Sequence, residues 1–327
     1  MVPFAYAAAP TPEAAIAHAA QVPGAQFIAG GTDMLQLLQE RIATPDELID
    51  ISGLPLTGID LSNGAVRLGA LTHLAEVAED KRIQEQFPVL AQALQATASP
   101  QVRNMATIGG NLLQRTRCLY FRDVTTPCNK REPGSGCSAM DGENRINAIL
   151  GGSAQCIAAY PGDLAVALLA LDAEVEVAGI QGRRRIAIDA FHRLPGDTPQ
   201  RDTVLAPGDL IIAVMVPSSA WARRSHYLKV RDRASFEWAI ASAAVALATD
   251  NGLIREARVA LGGVAVKPWR ATAVEQALVG QRPGADLFRK AAERAGDGAQ
   301  PRAGNAFKVE LIKHTVARAL EIVGGQA

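Results

Sequence analysis

The four cysteines of this 327-residue chain, Cys118, Cys128, Cys137 and Cys156, all fall between residues 118 and 156. Such clustering asks for a chemical reason. Structural zinc sites bring their ligands in close pairs, and no Cys-x-x-Cys pair exists here, so zinc is disfavoured. Two disulfides would suit an exported protein, yet nothing in the chain directs export. Inert core thiols are another reading, set against the polar loop in which most of the cysteines stand. Four thiolates are also what a four-iron four-sulfur cluster requires, and spacing outside the ferredoxin pattern is allowed if the fold gathers the ligands. Arg115, Arg117, Arg122, Lys130 and Arg131 could offset the negative charge of such a cluster, or simply solvate the loop.

Two glycine pairs are the other chemical feature. Ala29-Gly30-Gly31-Thr32 joins a strand at residues 26–29 to a helix whose Met34, Leu35, Leu37, Leu38 and Ile42 recur at helical spacing. Paired glycines admit positive φ and let backbone amides approach phosphate oxygens. Thr107-Ile108-Gly109-Gly110-Asn111 is a second loop of this kind. Neither fits Gly-x-Gly-x-x-Gly or precedes the Lys-Ser/Thr pair of a P-loop, which disfavours Rossmann and NTPase readings. A single Gly-Gly turn is more often only a turn. The five histidines, His18, His73, His192, His226 and His314, stand apart and are expected at the surface with no catalytic role.

The elements that position these loops follow from pattern. Thr11 and Pro12 cap and open a helix through about Ala20. Strands at 26–29, 48–51 and 66–69 alternate with helices opening at Thr72 and Pro88, which argues an α/β region divided into two small lobes. Residues 115–146 read as a long irregular loop, and loops beyond ~15 residues are usually functional or disordered. A helix at 161–171 follows, then a hairpin of 174–177 with 184–188 about Gln181-Gly182, and a strand at 211–216. Runs at 239–248 and 254–261 flank Asn251-Gly252, a favoured hairpin turn. The end is helical, at 271–279, 285–295 and 307–323.

With 48% hydrophobic residues the chain can fill several cores. Lys plus Arg and Asp plus Glu both number 33, so no net field draws nucleic acid or an anionic membrane. Its apolar stretches fall short of the ~20 residues of a membrane span. The N-terminus lacks an export signal, so the chain alone is expected in the cytoplasm.

Together the two glycine loops resemble those of the FAD-binding subunits in the xanthine dehydrogenase and carbon monoxide dehydrogenase family of molybdenum hydroxylases. The similarity extends over the whole chain and includes Tyr160-Pro161-Gly162-Asp163-Leu164, Lys229-Val230-Arg231-Asp232-Arg233 and Leu261-Gly262-Gly263-Val264-Ala265. It implies an α+β fold: a two-lobed FAD-binding domain of PCMH type, with lobes at 1–55 and 56–218, and an iron-sulfur loop at 112–157. A carbon monoxide dehydrogenase flavoprotein C-terminal domain would follow at 222–327, a three-stranded antiparallel sheet with a helical bundle. The resemblance further implies that Phe27, Ile28, Ala29, Gly30, Gly31, Thr32, Asp33 and Met34, with Thr107, Ile108, Gly109, Gly110 and Asn111, wrap the FAD pyrophosphate. Ile212 joins this FAD-binding set, Asp163 bonds the flavin nucleotide, and Lys229 lies by the isoalloxazine. On the residues alone, Asp163 reads as a helix cap and Lys229 as a solvated strand residue.

Most members of that family lack the segment inserted after Thr107–Asn111. Here Asn111–Cys118, Pro127–Arg131 and Pro133–Cys137 are similar to the FAD subunit of bacterial periplasmic aldehyde oxidoreductase, and 4-hydroxybenzoyl-CoA reductase also carries such an insertion. The resemblance implies that Cys118, Cys128, Cys137 and Cys156 ligate one four-iron four-sulfur cluster. It also implies a heterotrimer in which a large molybdenum-pterin subunit oxidises an aldehyde to a carboxylic acid. A small subunit with two-iron two-sulfur centres would pass electrons to FAD in this chain, and FAD to an external acceptor. Co-export with a twin-arginine partner would place the complex in the periplasm. Competing readings are a subunit of a 4-hydroxybenzoyl-CoA reductase-like or other molybdenum hydroxylase, a self-contained flavin oxidase with its own base, and a scaffold whose glycine loops are only turns.

Overall fold

The computed structural model describes residues 1–325 apart from Asn63. Its N-terminal sheet is parallel, in the order Ala5–Ala8, Glu47–Asp50, Gln26–Ile28. Helix Pro12–Gln21 connects the first and last of these in space, opened as the sequence predicts: Thr11 Oγ1 accepts from the Ala14 amide at 3.1 Å and Pro12 occupies the first turn. Ala15, Ile16 and Ile49 pack against Leu210 and Ile212 of the next sheet, so the two lobes share apolar surface.

That next sheet has five antiparallel strands, in the order Ile59–Ser62, Ala65–Gly69, Leu210–Pro217, Glu174–Gly179, Gly182–Ala187. Helices Pro88–Ala96 and Asp163–Ala170 lie between it and the C-terminal sheet, in a core joining Val66 and Val214 to Tyr227, Ala244 and Ala260. All eight residues of Asp163–Ala170 are buried. Beyond Asp163 this helix is apolar all round and must be central, because it has no face to offer water.

In the C-terminal sheet, Ala241–Asp250 pairs with Leu253–Gly262 through Asn251-Gly252, both at positive φ (51° and 74°), the turn expected from the sequence. Strand alternation points Ala244 into the core just described, and Ala243, Val245 and Leu247 into a second. Helices Thr272–Leu278, Ala285–Ala292 and Phe307–Gly324 cover that second core.

Three expectations need correction. The C-terminal sheet has four strands, not three: Trp269–Arg270 pairs with Leu261 and Ala260, in a stretch too short to show alternation. The hairpin expected at Gln181-Gly182 closes through Ile180-Gln181, because Gly182, at φ 101°, is already paired with Gly179. The helix expected over 285–295 stops at Ala292 and tightens into a 3₁₀ turn at Glu293–Gly296. Among the described residues no helix is long and apolar enough to cross a membrane.

Candidate functional site

A cavity of about 640 Å³ opens where the first lobe meets the second, within the range of ~300–1,000 Å³ usual for ligand sites. Phe27 to Met34 line one wall and Thr107, Gly110 and Asn111 another, with Asp163 and Lys229 also on the lining. Ile108, Gly109 and Ile212 stand behind that surface. The Gly109 amide bonds Ala70 O at 2.8 Å, and Ile212 O accepts from the Ala70 amide at 3.1 Å. These three hold the second loop onto the sheet.

The glycines divide their work. A Cβ on Gly30 would stand 1.8 Å from Met105 O, so Gly30 lets the first loop touch the backbone that leads into the second. Gly31 takes φ 70° to make the turn. A Cβ on Gly110 would meet only Thr107 Oγ1, at 3.0 Å, which leaves this residue facing the cavity.

An FAD pyrophosphate fits these groups. No hydrogen bond within the described chain uses the backbone N–H of Gly31, Thr32 or Asp33, and such free amides at a strand-to-helix turn suit phosphate oxygens. Asn111 Oδ1 is buried without a partner and lies on the lining, free to accept from a ligand.

Asp163 and Lys229 are neither a helix cap nor a solvated pair. Lys229 Nζ donates to Asp163 Oδ2 at 2.8 Å and to Ala96 O at 3.0 Å, with both side chains 4% exposed. Tyr227 Oη donates to Asp163 Oδ1 at 2.5 Å and Thr97 Oγ1 to Oδ2 at 3.1 Å. Burial, then the Asp163 charge, pushes the Tyr227 hydroxyl well above its ordinary pKa. Tyr227 and Lys229 thus both donate to the carboxylate, while the single Thr97 proton is shared between Oδ2 and Ala93 O at 2.8 Å, so at least one of the carboxylate's roughly four acceptor sites is left to offer a ligand.

Sequence reasoning missed Thr97, Gln114 and the segment Phe236 to Trp238 and gave Arg115 and Arg117 only to the cysteine loop, though all stand on the lining. Arg117 lies 4.9 Å over the Trp238 ring. Phe236-Glu237-Trp238 had one visible signal, two large aromatics in an otherwise polar loop, and both are more than 40% exposed.

The long loop is gathered around its cysteines. Cys118, Cys128, Cys137 and Cys156 share one cluster with Phe121, Ala139 and Ile157 and line one small cavity. Cys128 and Cys137 face each other across an isolated antiparallel bridge. All four thiols are free in this structure. Among the described residues no three His, Cys, Asp or Glu side chains converge to hold a metal ion, as a mononuclear zinc site would require. Burial pushes the Cys156 thiol up to about 11, against the pull of Lys130, and also raises Cys137.

His192 departs from the surface position expected of it. It is 4% exposed, with Nε2 3.0 Å from Leu112 O, and burial lowers its pKa to about 4. It packs between Tyr160 and Phe191 as a neutral core ring.

Known proteins show where this architecture recurs. The family described as FAD binding domain in molybdopterin dehydrogenase matches residues 2–219, and the carbon monoxide dehydrogenase flavoprotein C-terminal domain matches residues 225–323. The chain is 45% identical to the aldehyde oxidoreductase FAD-binding subunit PaoB of Escherichia coli, covering 100% of both proteins. It is 25% identical to the glyceraldehyde dehydrogenase medium chain of Sulfolobus acidocaldarius, over 90% of this chain and 89% of that one. Among solved structures it superposes on a carbon monoxide dehydrogenase chain from Hydrogenophaga pseudoflava with a TM-score of 0.78 and 27% identity, covering 100% of each. Paired glycine loops around one cavity, two matching domains and full-length similarity lead to one conclusion: the chain belongs to the FAD-binding subunits of the molybdenum hydroxylases.

Proposed function

We propose that this chain is the FAD and iron-sulfur subunit of a molybdenum-dependent aldehyde oxidoreductase, working with a large molybdenum-pterin subunit and a small two-iron two-sulfur subunit in a heterotrimer. The observation that carries the reading is the cavity shared by the two glycine loops and the Asp163–Lys229 pair, in a chain 45% identical over its length to an aldehyde oxidoreductase FAD subunit. Among the described residues no histidine lines that cavity, and Lys229 and Asp163 on its lining already pair with each other, which suits holding a redox cofactor better than abstracting a substrate proton. FAD bound there would exchange electrons singly with iron-sulfur centres and in pairs with an external acceptor.

The residues of this chain supply position. Gly31 to Asp33 offer amides to the pyrophosphate, Asn111 offers a carbonyl oxygen, and Lys229 sets a buried cation on the lining. The gathered thiols support a four-iron four-sulfur cluster on Cys118, Cys128, Cys137 and Cys156. Each thiolate of such a cluster binds a different corner, so the sulfurs need not converge on one point as they do around a single ion. Held in this way, four points of the loop are stapled together, and bound metal contributes folding free energy. Export of the assembled complex on a partner's twin-arginine signal is part of the proposal, and a partner gene without that signal would refute it.

Anaerobic purification with the partners, followed by flavin, iron and acid-labile sulfide counts, tests the cofactor set. Near one FAD per chain, with about four irons lost in Cys128→Ser, is the expected result. Flavin without cysteine-dependent iron would reduce the loop to structure.

A further inference from the structure

Lys308, at the start of helix Phe307–Gly324, is fully buried. No ion pair to a carboxylate forms there among the described residues, and its side-chain nitrogen donates only to carbonyl oxygens, Gly263 O at 2.8 Å and Asn147 O at 3.0 Å. Burial, with Arg145 nearby, lowers its pKa to about 7. A buried ammonium without an anion is costly, so its position asks what negative charge it serves.

Asn147 provides the connection. Its Nδ2 lies 3.4 Å from Cys118 Sγ and 3.4 Å from Ile157 O, and two acceptors on that side fix the amide's orientation. Its backbone oxygen also receives Asn305 Nδ2 at 3.4 Å. The C-terminal helical domain therefore grips, through Asn305 and Lys308, the residue that touches the first cysteine of the loop.

We propose that Asn147 and Lys308 are positioning residues for the four-cysteine cluster: Asn147 holds the Cys118 sulfur by an N–H···S hydrogen bond, while Lys308 fixes Asn147 and offsets the cluster's negative charge. The inference rests on the cluster reading above. Hydrogen bonds to cluster sulfurs and nearby positive charge both favour the reduced, more negative state, so both raise the reduction potential.

The test uses the complex purified anaerobically with wild-type, Lys308→Gln, Lys308→Arg and Asn147→Leu chains. Iron and FAD are counted first, and cluster reduction is then titrated by electron paramagnetic resonance. With iron at the wild-type level, Lys308→Gln is expected to make the cluster about tenfold harder to reduce, a fall of about 59 mV for one electron. Lys308→Arg stays near wild type, and Asn147→Leu shifts in the same direction as Lys308→Gln. Wild-type potentials in Lys308→Gln and Asn147→Leu, with full iron, overturn the inference while leaving the cluster intact. If Lys308→Gln does not accumulate, Asn147→Leu decides alone, a lowered potential supporting the inference and an unchanged one overturning it. Absence of cysteine-dependent iron in the wild-type complex overturns the cluster reading and this inference with it.

Discussion

Arg117, one residue before Cys118, donates Nη1 to Asp33 Oδ1 at 2.5 Å, so the cysteine loop is anchored on the last polar residue of the first glycine turn. Arg122 Nη2 reaches the same oxygen at 3.0 Å, and the Arg115 amide reaches Oδ2 at 2.8 Å. One carboxylate therefore ties three points of the loop to the wall of the flavin cavity. Asp33→Ala leaves Arg117 without its anion and Arg122 with only Glu40, whose Oε2 lies 3.2 Å from Nη1. Removing one partner of a buried pair costs about 3–5 kcal/mol, discounted here because the groups are partly exposed. The expected outcome is loss of both flavin and iron from the purified complex, and retention of both at wild-type levels would contradict it.

Two of the glycines that line the cavity, Gly30 and Gly110, should fail in different ways. Gly30→Ala drives a Cβ into Met105 O, and since that backbone cannot yield cheaply, stability should fall by about 1–3 kcal/mol or more. Gly110→Ala adds a methyl that faces the cavity, so unfolding should stay near wild type while FAD affinity drops. Denaturant unfolding and FAD titration of the two variants separate these effects.

Lys229→Met strands Asp163 in the protein interior with only Tyr227 and Thr97 as donors. A loss of roughly 3 kcal/mol is expected, and the double variant with Asp163→Asn should recover part of it, because the uncompensated charge is then gone. A double-variant cost equal to the sum of the Lys229→Met and Asp163→Asn single costs would show that the two residues do not act as a pair.

Buried His192 gives the chain an acid-sensitive window. Its folded pKa, about 4, lies below the ordinary 6.5, so the unfolded chain takes up a proton that the folded chain refuses. This residue's stabilising contribution is intact above pH 6.5 and is lost as pH falls from 6.5 to 4, by at most roughly 3 kcal/mol. His192→Gln should flatten urea-unfolding stability over that range, and an unchanged slope would contradict the assignment.

Legibility in the sequence followed how local each signal is. The cap at Thr11-Pro12 and the turn at Asn251-Gly252 depend on adjacent residues, and both stand where they were expected. Strand Trp269–Arg270 depends on a partner strand and carries no pattern of its own. In the site, the glycine pairs were visible, but the reason for Gly30 was not, since it lies in the approach of Met105, far along the chain. Asp163 read as a helix cap until the fold brought Tyr227 and Lys229 onto it. Arg117 and Trp238 were unreadable as neighbours for the same reason. The family resemblance supplied what local pattern could not, and the matches over residues 2–219 and 225–323 support it.

The most direct test of the proposed function follows the flavin absorbance of the purified complex under anaerobic conditions as an aldehyde is added. Bleaching in the complex, with none in this chain separated from its partners, is the expected result. Oxidation of aldehyde by this chain alone when an artificial electron acceptor is supplied, or flavin in the complex that stays oxidised after aldehyde is added, would contradict the account.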